Sequence, residues 1–125
     1  MKKQKILKVS ACSLNQTALD FEGNFARIVG AIEAAKEIGA TVLCLPELAL
    51  TGYGCEDMFF SEFIYQQSLE YLERILAHTE NIIVNIGLPL KVFEMRYNTS
   101  VILADGVIAG AFAKQNLANY GVYYE

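Results

Sequence analysis

Apolar residues along this chain recur with two different periods. Residues 5–12 alternate, with Ile6, Leu7, Val9 and Ala11 in a β-rich setting, and predict a first strand. Over residues 22–38, Phe25, Ile28, Val29, Ile32, Ala35 and Ile38 return at helical spacing while Glu33, Lys36 and Glu37 fall elsewhere. That pattern predicts an amphipathic helix, and Gly39 is placed to stop it because glycine accepts the left-handed conformation of a helix end. Thr41-Val42-Leu43-Cys44-Leu45 is wholly apolar after its first residue and predicts a short strand buried on both faces, stopping at Pro46. Residues 51–57, with Gly52 and Gly54, read as a loop. A second helix is predicted over residues 60–77, with Phe60, Phe63, Ile64, Tyr71, Leu72, Ile75 and Leu76 on one side. A third strand follows at 81–90, ended near Pro89. Residues 97–104 and 107–113 then flank Asp105-Gly106, a strong hairpin signal because both residues tolerate positive φ. The predicted order is β-α-β-α-β-β-β: an α/β fold with a mixed sheet and helices on one or both faces.

Composition narrows the class. With 54% hydrophobic and 19% charged residues in 125, the chain is no disordered segment. A net charge of −4 argues against nucleic acid or an anionic membrane as partner. The basic start, Met1-Lys2-Lys3-Gln4-Lys5, leads into a stretch too short and too polar for a signal peptide, and no apolar run is long enough to span a bilayer. The expected compartment is the cytoplasm. Cys12, Cys44 and Cys55 have no metal-ligand spacing and are expected to be free thiols. The closing Tyr120-Gly121-Val122-Tyr123-Tyr124-Glu125 has neither a polar tail nor a helix, so the chain reads as a fragment.

Two positions carry candidate chemistry. Glu47 follows a buried apolar strand directly, at the carboxyl end where open α/β sheets place ligands. Apolar neighbours there would desolvate the carboxylate and suit it to general-base work, whereas the plain alternative is a loop cap or a pair with a surface lysine. Lys114 ends the strand at 107–113 and could aim its ammonium into a cleft beside developing negative charge, or simply reach solvent. Spacing alone does not bring the two together. His78 at the end of the second helix suits a helix C-terminus and makes no metal site by itself, and Glu56-Asp57 reads as an acidic helix start.

Leu45-Pro46-Glu47-Leu48-Ala49-Leu50-Thr51-Gly52-Tyr53 resembles the glutamate motif of the nitrilase, or carbon-nitrogen hydrolase, superfamily. Tyr97-Asn98-Thr99-Ser100-Val101, Asp105-Gly106 and Lys114 resemble that family's route to its lysine, and the likeness runs over essentially the whole chain. Within the superfamily, Thr51-Gly52-Tyr53-Gly54-Cys55-Glu56-Asp57 and Lys114-Gln115-Asn116-Leu117-Ala118-Asn119-Tyr120-Gly121 are similar to the glutaminase domains of glutamine-dependent NAD synthetases.

The resemblance implies a four-layer α-β-β-α sandwich, of which residues 1–125 would be the N-terminal portion, and homo-oligomers. It implies a Cys-Glu-Lys triad acting on L-glutamine: a thiolate attacks the carboxamide, Glu47 is the general base, and Lys114 stabilises the oxyanion. Tyr53 and Tyr120 match positions near the substrate, although either also suits an ordinary half-buried aromatic. A separate synthetase domain would use ATP and Mg²⁺ to activate nicotinic acid adenine dinucleotide for amidation by the released ammonia; no cofactor or metal is expected in the present segment. The family's nucleophile lies well beyond its lysine, so none of the three cysteines occupies that place; Cys44, inside a buried strand, should behave as a small hydrophobe. The segment alone is therefore expected to be inactive. Other readings are a different amidase or carbamoylase of the superfamily, using the same pair, and a non-catalytic α/β module. Against a nucleotide-binding module, the turn at 10–16 contains no glycine and cannot be a phosphate cradle.

Overall fold

A computed structural model describes residues 6–120 and 123–124, the side chains of 119, 120, 123 and 124 excepted. The elements are β1 (Val9–Ala11), α1 (Phe21–Glu37), β2 (Val42–Cys44), a 3₁₀ turn (Glu56–Phe60), α2 (Glu62–Leu76), β3 (Ile83–Val92), β4 (Met95–Ala104), β5 (Val107–Ala113), β6 (Asn119–Tyr120) and β7 (Tyr123–Tyr124). The first five strands form one sheet in the order β1-β2-β3-β4-β5, and β6 pairs with β7. β1, β2 and β3 run parallel, while β3, β4 and β5 are antiparallel. This division follows from the connections: a helical crossover is what parallel neighbours need, and a tight turn suffices for antiparallel ones.

The Asp105-Gly106 turn has φ of 48° and 78°, the double positive φ that a two-residue hairpin of this twist requires. It is anchored to the residues just after α2. Thr79 O accepts from Asp105 N, Thr79 Oγ1 accepts from Gly106 N, and Asp105 Oδ1 accepts from Asn81 N. A second hairpin, turning at residues 93–94 between β3 and β4, has no such sequence signal; Phe93 adopts φ 54° there and is exposed.

Both helices lie on one face of the sheet. Leu43, Val84, Ile86, Leu88, Val101 and Leu103 share that face by their register and are buried under Ile28 and Ile32 of α1 and Ile64, Leu72 and Ile75 of α2. Each such fully buried aliphatic contributes roughly 1.5–3 kcal/mol. Asp20 Oδ1 caps α1 by accepting from Gly23 N at 3.0 Å, and Gly39, at φ 72°, follows its end as predicted. Ser61 Oγ caps α2 by accepting from Phe63 N. The helices meet through Glu22, which accepts from Arg74 and from the Tyr71 hydroxyl.

The structure corrects four expectations. β2 is covered on one face only: Leu43 is buried, but Cys44 points to the opposite, open face and is exposed, so its thiol is not a core hydrophobe. On that open face Val9, Ile83, Val107 and Phe112 also remain exposed. Besides the β6–β7 pair, the described residues thus supply a five-stranded sheet and one helical layer, two of the layers expected of a sandwich. α2 begins later than expected, because Ser61 interrupts the helix; Phe60 ends the 3₁₀ turn, and Phe60 and Phe63 are largely exposed. β3 continues through Pro89 to Val92. Ile83 N donates to Thr41 O, and the carbonyls of Asn85 and Gly87 accept from Leu45 N and Leu50 N. Alternation then directs the donorless nitrogen of Pro89 to that same side, away from β4, where no ladder bond is lost.

Asn24, fully buried on α1, ties the chain entering that helix to the loop after β2. Its Nδ2 donates to Thr17 O at 2.8 Å and Leu50 O at 2.9 Å, and its Oδ1 accepts from Thr17 N at 2.9 Å. Asn24→Ala removes these three bonds, costing Thr17 N and Leu50 O the partner they have here while Thr17 O keeps its bond from Asp20 N, and we expect it to lower stability by about 2–4 kcal/mol in urea unfolding. A loss below about 0.5 kcal/mol would mean the loop is held without it.

Candidate active site

Beyond Cys44 the chain continues for one more rung, with Leu45 N donating to Asn85 O at 2.9 Å. Pro46 and Glu47 then turn out of the sheet, and Leu48 takes φ 49°. That left-handed conformation costs a branched residue about 1–2 kcal/mol and persists because its surroundings fix it. Leu48, Ala49 and Leu50 are all buried, Gly52 N donates to Leu48 O, and Gln16 Nε2 donates to Ala49 O. The turn lies directly on Gly87 of β3. A Cβ built there would stand 2.5 Å from Leu48 N, 2.7 Å from Glu47 Cα and 2.7 Å from Pro46 O, so only glycine allows this approach.

Glu47 emerges beside the first half of β4 and the end of β5. Its Oε1 accepts from Lys114 Nζ at 2.7 Å and from Asn98 Nδ2 at 2.7 Å. Lys114 is itself fixed by its main chain, Lys114 N donating to Asn98 O at 2.8 Å. The Glu47 and Lys114 side chains retain 36% and 31% exposure, enough for a small molecule to reach them. They line an open cleft of about 360 Å³ with Asn85, Asn98, Ser100 and Phe112, on the uncovered face of the sheet. Within it Asn85 Nδ2 donates to Ser100 Oγ.

The structure therefore brings together the two residues that spacing alone leaves apart. The environment of Glu47 is more polar than anticipated: Pro46 and Phe112 flank the cleft, but an ammonium and an amide hold the carboxylate oxygen. A carboxylate and an ammonium sharing one cleft can divide the work of acyl transfer, the first moving a proton and the second facing developing negative charge. Sequence reasoning does not single out Asn98 or Gly87. Asn98 sits inside the Tyr97–Val101 motif without an assigned role, and Gly87, a glycine within a strand, carries the signal of close backbone approach.

Tyr53, 43% exposed in the loop after Gly52, is not among the described residues lining the cleft. The side chain of Tyr120, on β6, lies outside the described residues. None of the three cysteines lines the cleft. Cys55 is buried with its Sγ 3.4 Å from Thr51 O and Gly52 O, and burial pushes its thiol pKa up, away from a nucleophilic thiolate. Cys12 is half-buried and Cys44 exposed. Among the described residues no group of three His, Cys, Asp or Glu side chains converges as a metal site.

Comparison with known proteins places this geometry. The carbon-nitrogen hydrolase family matches residues 8–123. The chain is 41% identical over 122 residues to the glutamine-dependent NAD(+) synthetase of Saccharomyces cerevisiae, covering 96% of this chain and 17% of that protein. It is 42% identical over 119 residues to that of Bos taurus, covering 94% of this chain and 17% of the other. The solved glutamine-dependent NAD(+) synthetase of Cytophaga hutchinsonii superposes with a TM-score of 0.91 at 41% identity, over 94% of this chain and 20% of that one. An amidase from Nesterenkonia sp. superposes with a TM-score of 0.82 over 91% of this chain and 44% of that one; at 22% identity it shows the shared fold alone. The chain thus spans about a sixth of the length of the curated relatives it matches. With the family matched from residue 8 to residue 123 and a glutamate and a lysine joined in one cleft, the chain belongs to the carbon-nitrogen hydrolase family.

Proposed function

We propose that residues 1–125 are the N-terminal portion of a glutaminase domain in which Glu47 is the general base and Lys114 the oxyanion partner. The observation that carries this reading is the contact of Lys114 Nζ with Glu47 Oε1 at 2.7 Å in an accessible cleft. Identities of 40–42% to glutamine-dependent NAD(+) synthetases along 94–97% of the chain favour glutamine over other amides.

In this mechanism a cysteine from the remainder of the domain reaches the cleft, and Glu47 takes its thiol proton. The thiolate attacks the carboxamide carbon of glutamine, and the carbonyl electrons move onto oxygen, facing the Lys114 ammonium. Collapse of that intermediate expels ammonia, which leaves with the proton returned by Glu47, and a γ-glutamyl thioester remains. Glu47 next removes a proton from water, whose oxygen attacks the thioester; glutamate departs and the thiol is restored. Tyr53 and Tyr120 would contact the bound glutamine. In the whole protein the ammonia would amidate nicotinic acid adenine dinucleotide to NAD at a separate domain that uses ATP and Mg²⁺. A cytoplasmic homo-oligomer belongs to the same reading, with the rest of the sandwich covering the apolar face that carries Val9, Ile83, Val107 and Phe112.

Glutamate release by the longer protein tests the proposal. The combined Cys12→Ser, Cys44→Ser and Cys55→Ser variant should hydrolyse glutamine at the unmodified rate, and the 125-residue chain alone should release none. Hydrolysis by the short chain, or loss of activity in the triple variant despite normal folding, would make one of these thiols the nucleophile and overturn the assignment.

A further inference from the structure

The geometry points to Asn98 as a positioning residue that joins the Glu47 carboxylate to the Lys114 backbone; the inference rests on the proposed role of Glu47 as base. A carboxylate paired only with a lysine is poorly located, because both side chains are long and an accessible ion pair of this kind contributes little by itself. Here a second donor acts on the same oxygen. Asn98 Nδ2 and Lys114 Nζ each lie 2.7 Å from Glu47 Oε1, and two donors converging on one oxygen fix the plane of the carboxylate and hence the direction of Oε2. The main chain of the same asparagine accepts from Lys114 N at 2.8 Å, so one residue holds the glutamate through its side chain and the lysine through its carbonyl.

Asn98 is well placed for this task. It faces Pro89 in the β3–β4 register, and its neighbour Thr99, almost fully buried, donates from Oγ1 to Leu88 O at 2.6 Å. That bond pins β4 at the rung next to Asn98. The asparagine amide is also neutral. Lys114 approaches Glu47 from the end of β5, Asn98 from β4, and β3 presents the uncharged Asn85 to the cleft. A neutral donor orients the base without adding a charge to the pair.

The test uses the longer protein and three variants beside Glu47→Gln. Asn98→Asp keeps the shape but sets a second carboxylate against Glu47, and like charges sharing a site favour the protonated form. The acidic limb of its kcat/KM profile for glutamine should move to higher pH by about one unit or more. Asn98→Ala should lower kcat about 10- to 100-fold with little change in KM, as expected when a reacting group is displaced rather than a substrate contact removed. Thr79→Val, which loses buried hydrogen bonds at the far end of the sheet, should lower the unfolding midpoint and leave kcat and the pH profile unchanged. If Glu47→Gln retains full activity, the reading of the site fails and the positioning role falls with it. If Glu47→Gln is inactive but Asn98→Asp keeps the parent pH profile, the positioning role alone is overturned. Should Asn98→Ala fail to fold, the shape-matched aspartate variant decides.

Discussion

Glu47→Gln in the longer protein is expected to lower kcat for glutamine hydrolysis by about 10²–10⁴-fold while leaving KM nearly unchanged. The substitution is chosen for what it preserves. A glutamine side chain is the same size and still presents a carbonyl oxygen where Lys114 Nζ and Asn98 Nδ2 now find Oε1, both at 2.7 Å. The local structure should stand, while the proposed transfer of a thiol proton to Glu47 is lost. On the proposed mechanism Lys114→Ala removes the charge that faces the oxyanion, and it is expected to reduce kcat by roughly 10²–10³-fold. The double variant should be far less impaired than the product of the two losses, because groups that act on one transition state are not independent. If ammonia feeds a second reaction, added ammonium should restore NAD formation in Glu47→Gln, which separates a lost glutaminase from a misfolded protein. Unimpaired glutamine hydrolysis in Glu47→Gln would remove this residue from the mechanism.

What is legible in the sequence is what local rules decide. The Asp105-Gly106 turn is readable because its backbone conformation selects those residues, and β5 at Val107–Ala113 has the predicted bounds. Helix α1 is readable because apolar residues returning at helical spacing over some 17 positions, with a glycine after them, have few other solutions. Glu47 and Lys114 stand out as separate strand-end residues, but their meeting requires the β3–β4–β5 pairing that sets both ends side by side. The failures share a cause: they turn on what lies next to a segment rather than in it. An apolar triplet such as Val42–Cys44 does not reveal whether one or both of its faces are covered. Pro89 breaks a strand only where its missing donor would face a neighbour, and the neighbour on that side has already ended. The turn at 93–94 lacks the usual residues because the long β3–β4 ladder determines it from outside. Asn98 lies within a familiar motif, but its role is expressed only through contacts with residues far off in sequence.

Gly87→Ala should be the most damaging substitution that touches no charged or nucleophilic group. The backbone at Gly87 is not in the left-handed region, so alanine meets no torsional objection there; the obstacle is space. Its Cβ would fall 2.5–2.7 Å from main-chain atoms of Pro46, Glu47 and Leu48, and ordinary contact would require that turn to retreat by nearly an ångström. The turn has little freedom to do so. Leu48 and Leu50 are buried, Gln16 and Asn24 hold Ala49 O and Leu50 O, and Leu50 N already reaches Gly87 O at 3.3 Å. Overpacking of this kind costs about 1–3 kcal/mol, and the atoms involved are backbone, which cannot change rotamer. The displaced element carries Glu47, and a misplacement of about 1 Å in a reacting group lowers turnover about 10²-fold. Gly30→Ala supplies the comparison. Gly30 lies on the exposed side of α1, and an alanine methyl there would meet nothing within 4 Å. Alanine should therefore raise stability by about 0.5–1 kcal/mol through helix propensity and leave catalysis alone. Urea unfolding and glutamine turnover, measured together on both variants, check the contrast. Parent-like stability and turnover in Gly87→Ala would mean that the turn shifts freely, and that the height of Glu47 above the sheet is not what places it beside Lys114.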